Sequence, residues 1–275
     1  MLVLLTLVLA AQAPRLTYVP ASRSPDKQAQ FTRYGPRDQV YVAAPRSNLR
    51  EKPDGNAALL CELDMGAPVK VLASVGAPVE ISQRTDVWYQ VEAGCPDGKA
   101  TRGHLFGATL TPLRLLEDLN GDGVREVITV AIGWDAKARI RVSNPAEPDP
   151  TKAVQQVLEA TSVPDPVRTS DVTLSFVPAS QAGVPLILHE FHSTMRDGYN
   201  VWWFYYFSFT SRGAGQQPQL RPALSTYRND EVNRPVRFDP TNRRASVGTA
   251  PGVDEYTLQD GVFVWSPPVR SAPSP

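Results

Sequence analysis

Nine consecutive residues, VWWFYYFSF from Val201 to Phe209, are apolar on both faces of any strand they could form. Successive side chains of a strand point to opposite faces. A sheet wetted on one side therefore alternates apolar with polar, and a strand lacking that alternation needs cover above and below. The segment is read as a central strand of a layered β-domain, with a carbohydrate-stacking surface as the alternative. Its neighbours agree with a strand-rich body. EVITVAIGW (126–134), ARIRVSN (138–144), DVTLSFVPA (171–179), PLILHEFHST (185–194) and EYTLQDGVFVWS (255–266) are short β-branched or aromatic runs between clusters of Pro, Gly, Asn and Asp. Hairpin signals stand at Met195–Gly198 and at Gln259–Gly261. A single short helix is expected over Thr151–Ala160, TKAVQQVLEA, with Thr151 as its N-cap. The expected fold class is mainly β: a small barrel over 39–113, then a mostly antiparallel, sheet-rich domain over 114–268.

At 275 residues the chain can bury a substantial core and has room for two domains. Lys plus Arg and Asp plus Glu number 28 each, and no basic tract occurs, which argues against nucleic acid as a partner. The start, MLVLLTLVLAAQA, is an apolar run too short to span a bilayer, which needs about twenty residues. It reads as a secretory signal peptide over 1–13, with Ala11-Gln12-Ala13 or Ala10 before the cut and a buried first strand as the alternative. No transmembrane segment is expected, and the protein is placed outside the cytoplasm, secreted or periplasmic. Residues 14–38 read as a linker. The 26 prolines favour turns and short strands over long helices, and 269–275 read as a disordered tail. Cys61 and Cys95 would close a loop of about 35 residues if they pair, worth about 2–4 kcal/mol; two free buried thiols are the alternative.

DLNGDGVRE, Asp118 to Glu126, puts oxygen-bearing side chains at alternate positions of a glycine-turned loop. Calcium takes six to eight oxygens, and Asp118, Asn120, Asp122 and Glu126, with the Val124 carbonyl, could supply most of them. Thr129 stands where a helical calcium loop needs Glu, and a β-branched run follows instead of a helix. The loop resembles those of FG-GAP and VCBS repeats, D-x-[DN]-G-D-G-x-x-[DE] before a strand. The resemblance implies Asp118, Asn120, Asp122 and Glu126 as ligands of a structural calcium ion. One copy is present, so no propeller is expected. The alternative is an Asx-rich turn that binds nothing.

Between Gln39 and Leu113 the strand and turn spacing is that of a small barrel. Asn48, Leu49, Arg50 and Pro53, then Gly66, then Trp88, Tyr89 and Val91, then Gly103, Leu105 and Leu110 follow in the order of bacterial SH3-type (SH3b) domains, which this region resembles. The resemblance implies a cell-envelope binding module for peptidoglycan, a peptide or an envelope protein. Trp88 and Tyr89 should face opposite sides of their strand, one in the core and one partly exposed as a ligand-binding anchor. His104 stands where the family's groove aromatic usually lies.

Catalytic patterns are missing. His189 and His192 are three apart in an expected strand and so project to opposite faces, unlike the paired ligands of H-E-x-x-H on a helix. No nucleophile elbow, P-loop or dinucleotide fingerprint is present. The sequence therefore points to a non-catalytic exported envelope protein; an envelope hydrolase with the SH3-type region as its targeting module is the alternative, because paired carboxylates meet only in three dimensions.

Overall fold

The computed structural model describes residues 14–19, 30–31, 33–82, 84–132, 138–145, 147, 153–157, 170–194, 198–211, 218–248 and 252–266. The segments read as a signal peptide, 1–13, and as a disordered tail, 269–275, lie outside them. Among the described residues the protein is mainly β, and every strand pairing is antiparallel.

Two short strands, β1 (Leu16–Val19) and β2 (Gln30–Phe31), come first. Seven strands follow: β3 (Gln39–Val42), β4 (Ser47–Arg50), β5 (Leu59–Leu63), β6 (Pro68–Ile81), β7 (Arg84–Gly94), β8 (Ala100–Phe106) and, after a 3-10 turn, β9 (Leu110–Thr111). They form one sheet in the order β5-β4-β8-β7-β6-β3-β9. One core serves all of it, with Val40, Leu49, Leu63, Val71, Tyr89, Val91, Leu105 and Leu110 buried together. The expected barrel does not close by hydrogen bonding. β9 is two residues long and runs on into the next sheet, so it offers β5 no partner edge. Leu59 and Leu60 of β5 are correspondingly exposed.

The remaining strands make three layers. β10 (Arg114–Glu117), β11 (Glu126–Ile132), β12 (Ala138–Ser143) and β13 (Val154–Val157) pair in chain order. β14 (Ser170–Val177), a one-turn helix α1 (Ala179–Ala182), β15 (Leu186–Thr194), β16 (Asn200–Thr210) and β17 (Gln219–Asn229) come next, and β1 and β2 extend their sheet to β17-β16-β15-β14-β1-β2. Finally β18 (Val236–Asp239), β19 (Arg244–Gly248), β20 (Val253–Gln259) and β21 (Val262–Ser266) form a meander.

The six-stranded sheet is the middle layer. On one face Val172, Ile187, Phe191, Phe207 and Phe209 pack against Ile128, Val130, Ile140 and Val142 of β11 and β12. On the other, Leu186, Tyr206 and Leu224 meet Ala245, Val247, Leu258 and Phe263 of the meander. β16 is thus covered on both sides, as its unbroken apolar run requires. Full burial of a phenylalanine such as Phe207 contributes about 1.5–3 kcal/mol. The hairpin at 259–261 turns on Asp260 and Gly261, both at positive φ, as a two-residue primed turn demands.

Two readings need correcting. The described parts of 14–38 are not a free linker: β1 pairs with β14, Leu16 is buried in the core of the layered body, and Tyr34 is buried in the core of the N-terminal sheet. Their apolar residues are too sparse to show a strand pattern, and only partners distant in sequence order them. In place of a helix over 151–160, Val154–Val157 is the edge strand β13, paired with β12. Propensity yields there to tertiary contact: the Gln155 side chain donates to Pro218 O (2.7 Å) and accepts from Leu220 N (2.8 Å), tying the outer sheet to β17.

Candidate functional site

The acidic loop joins β10 to β11 at the start of the layered body. Its backbone turns at Gly121 and Gly123, with φ of 80° and 85°. Asp118 accepts from Gly121 N (2.7 Å) and Gly123 N (3.0 Å), while Asp122 accepts from Val124 N (2.8 Å). The Asn120 amide donates to Asp122 Oδ2 (2.9 Å) and Glu126 Oε1 (3.0 Å), so these three side chains converge. Asp118 is turned toward the loop backbone instead. No trio of His, Cys, Asp or Glu side chains among the described residues is gathered closely enough to hold a metal without other donors. Glu126 has no exposed surface and accepts from Leu119 N (2.7 Å). Burial, opposed by that hydrogen bond and reinforced by Asp122 and Asp118, pushes its carboxyl up to about 7. The donor set is all oxygen and suits a hard cation.

Beside the loop, β11 touches the N-terminal sheet. Thr129 Oγ1 and Arg141 Nη1 both donate to Ala43 O, at 3.2 and 2.9 Å. Gly66, at φ 78°, lies so close to Val127 that any Cβ would collide with its Cγ1. The Arg114 guanidinium sits 4.9 Å from the Tyr41 ring centroid.

The residues of the N-terminal sheet singled out above do not form one exposed site. Tyr89 has no exposed surface, and Trp88, at 5 %, packs against Phe106 with ring centroids 5.7 Å apart. The expected half-exposed aromatic is therefore absent: both faces of β7 are covered at this point, and neither ring can anchor a ligand. His104 is half-buried on β8, its Nδ1 3.0 Å from Glu51 O. The Tyr89 hydroxyl accepts from Tyr34 N (3.3 Å), and beside it Asp86 accepts from Val87 N (2.7 Å) and pairs with Arg33 (3.2 Å). Burial, opposed by those two partners, pushes the Asp86 carboxyl up to about 6. Cys61 and Cys95 are joined in a disulfide, Cα atoms 6.0 Å apart, which ties β5 to the end of β7.

Two hollows went unseen in the sequence. One, of about 450 Å³, lies on the N-terminal sheet beside Arg37, Gln39, Lys70 and Glu92. The other runs along β17, where Tyr256 and Phe263 of the meander face Pro222 and Leu224. Their residues come from strands far apart in the chain, so no local spacing could announce them.

His189 and His192 sit on opposite faces of β15. His189 is fully buried beside Phe191 (ring centroids 4.5 Å apart), neither nitrogen has a hydrogen-bond partner among the described residues, and burial lowers its pKa to about 3. His192 stacks on Trp202 at 4.7 Å on the other face. No helix among the described residues is long and apolar enough to cross a membrane. No protein-family model, curated protein or solved structure matches this chain.

Proposed function

We propose that this is an exported, non-catalytic protein of the bacterial cell envelope, whose SH3-like N-terminal sheet holds peptidoglycan, a peptide or an envelope protein. The observation that carries the reading is that five of the SH3b-type residues fall on one sheet around one core. Leu49, Tyr89, Val91, Leu105 and Leu110 are all buried there. Gly103 earns its place by space: a Cβ would come within 2.8 Å of Arg50 O and within 2.9 Å of Leu49. The disulfide favours an oxidising compartment, in line with export. With Trp88 and Tyr89 buried, the ligand surface is assigned to the hollow beside Arg37, Lys70 and Glu92.

A calcium ion on the acidic loop is part of the same proposal. Asn120, Asp122 and Glu126 would hold it, with Asp118 shaping the loop and the Val124 carbonyl completing the set. Bound there, the ion supplies positive charge against crowded carboxylates and no chemistry. The loop leads directly into Val127 and Thr129, which meet the N-terminal sheet at Gly66 and Ala43. Bracing it would hold the two bodies in register.

The test is retention of the purified full chain on isolated sacculi. Retention weakened by Lys70→Glu is the expected result. Failure to bind sacculi or envelope extracts removes the reading, and release of soluble fragments replaces it with the hydrolase. For the ion, melting with calcium and then with a chelator should differ by about 2.7 kcal/mol when calcium stands at a hundred times its Kd. Identical midpoints, or an Asp122→Ala variant with undiminished calcium binding, remove the metal.

A further inference from the structure

We infer that the cleft along the open edge of β17 is a binding site for the ring of a neutral carbohydrate. The inference concerns the layered body and does not depend on what the N-terminal sheet binds.

β17 ends the six-stranded sheet, so one of its edges is unpaired over the cleft. Two adjoining hollows of about 320 and 170 Å³ follow that edge and share Tyr205, Ser225 and Tyr256 in their walls. The larger is within the size range of small-molecule sites, about 300–1,000 Å³. It is mainly aromatic and aliphatic, with Phe263, Leu224 and Pro222 beside the tyrosines. The smaller adds the polar groups: Arg234 and Asp254, next to Trp203 and Tyr227.

Arg234 is held by the Tyr227 ring, its guanidinium carbon 4.4 Å from the centroid, and its Nε is buried without a hydrogen-bond partner among the described residues. Asp254 lines the same hollow and makes no ion pair among the described residues. Both charges act on Tyr256: burial and Asp254 raise its phenol above the usual range while Arg234 opposes them, so the hydroxyl stays protonated and able to donate. The cleft thus has aromatic side chains at one end, of which Tyr205 and Tyr256 are partly exposed, and a donor–acceptor set of guanidinium, carboxylate and hydroxyls at the other.

That combination selects the ligand. A purely apolar molecule would desolvate Arg234 and Asp254 with nothing in return. A strongly charged one would meet one matching and one opposing charge. A neutral, hydroxyl-rich ring with an apolar C–H face satisfies both ends: it stacks on tyrosine and bonds to Arg234 and Asp254. Added strands are disfavoured, because Pro222 lacks an N–H and the register shift between Tyr206 and Phe207 bulges β17 at Ala223. Both features blunt a sheet edge against a pairing peptide.

The experiment titrates the full chain, by NMR and calorimetry, with maltotriose, cellotriose and N,N′,N″-triacetylchitotriose. Saturable binding of at least one is expected, with shifts confined to the β17 edge and the meander. Tyr256→Ala and Asp254→Asn should each weaken it at least about tenfold, close to 1.4 kcal/mol. Asp254 is a partly exposed polar residue, so its variant should keep the wild-type melting point. Absence of saturable binding for all three sugars overturns the inference. So does binding that both variants leave unchanged, or capture of extended peptides by this edge in place of sugars.

Discussion

The N-terminal sheet and the three-layer body differ in how each holds one deeply buried ionisable group. In the first, Asp86 is buried with Arg33 and Val87 N as partners, and Tyr89 with Tyr34 N. A covalent bridge between Cys61 and Cys95 supplements its single modest core. In the second, two hydrophobic cores flank one sheet, and His189 has no hydrogen-bond partner among the described residues in the middle of one of them. The lesson is about surplus: a sheet packed on both faces gains enough apolar burial to tolerate an unpartnered imidazole, whereas a one-core sheet depends on satisfied polar contacts and a cross-link.

The largest expected effect breaks the layered body alone. Phe207→Ala empties a site with no exposed surface at the centre of the middle sheet and should cost about 3–5 kcal/mol, read by chemical denaturation. Hydrogen exchange should show the N-terminal sheet still protected; joint loss of protection would mean that the contacts at Gly66 and Ala43 couple the two bodies into one cooperative unit.

Next in size is the cross-link. Replacing Cys61 and Cys95 by Ser should cost the N-terminal sheet about 2–4 kcal/mol and leave exchange rates in β14–β17 unchanged.

Titration sharpens the contrast, since the two buried groups have opposite signs. His189 has a folded pKa of about 3, below its unfolded value near 6.5, so the unfolded chain binds the extra proton. Its neutral-state contribution is complete above about pH 6.5 and is lost as pH falls toward 3, by up to about 1.4 kcal/mol per unit. His189→Leu should flatten that acid limb and, by removing an unsatisfied buried group, stabilise the body by about 1 kcal/mol at pH 7.

The smallest effect belongs to Asp86, whose folded pKa of about 6 exceeds its ordinary value of 3.8. Here the folded state binds the extra proton, so the contribution is complete below about pH 3.8 and is lost as pH rises through 6. Asp86→Asn should remove this slope from the N-terminal sheet. Between pH 4 and 6, acidification should therefore tighten the N-terminal sheet through Asp86 and loosen the layered body through His189, visible as opposite trends in region-resolved exchange. The latter is read in a Glu126→Gln background, because the raised Glu126 carboxyl acts with the sign of Asp86. Parallel trends would dissolve the comparison.

Features carried by neighbouring residues were legible in the chain. The two-sided apolar run of β16, the turn at Asp260–Gly261 and the opposite placement of His189 and His192 follow from a period of two and from turn chemistry, which need no distant partner. Several others depended on partners no local pattern displays. Trp88 alternates correctly with Tyr89, yet its outer face is covered by Phe106, so alternation did not translate into exposure. Val154–Val157 has helical neighbours in composition and became a strand because β12 offered an edge.

The sites divide in the same way. In the acidic loop, Asn120, Asp122 and Glu126 lie within seven residues and their meeting could be read from spacing, whereas Asp118, grouped with them by the same spacing, faces the loop backbone. The β17 cleft draws Trp203, Arg234 and Asp254 from three segments and was invisible until the sheets had packed. By itself, the order of residues determined that the protein would be built of short strands with a doubly covered one at its heart, because alternation and turn preferences act over two to four residues. Which sheets cover that strand, which edge stays open and which charges meet along it were decided only in the tertiary structure, because long-range packing brings those groups together and local backbone preferences do not encode it.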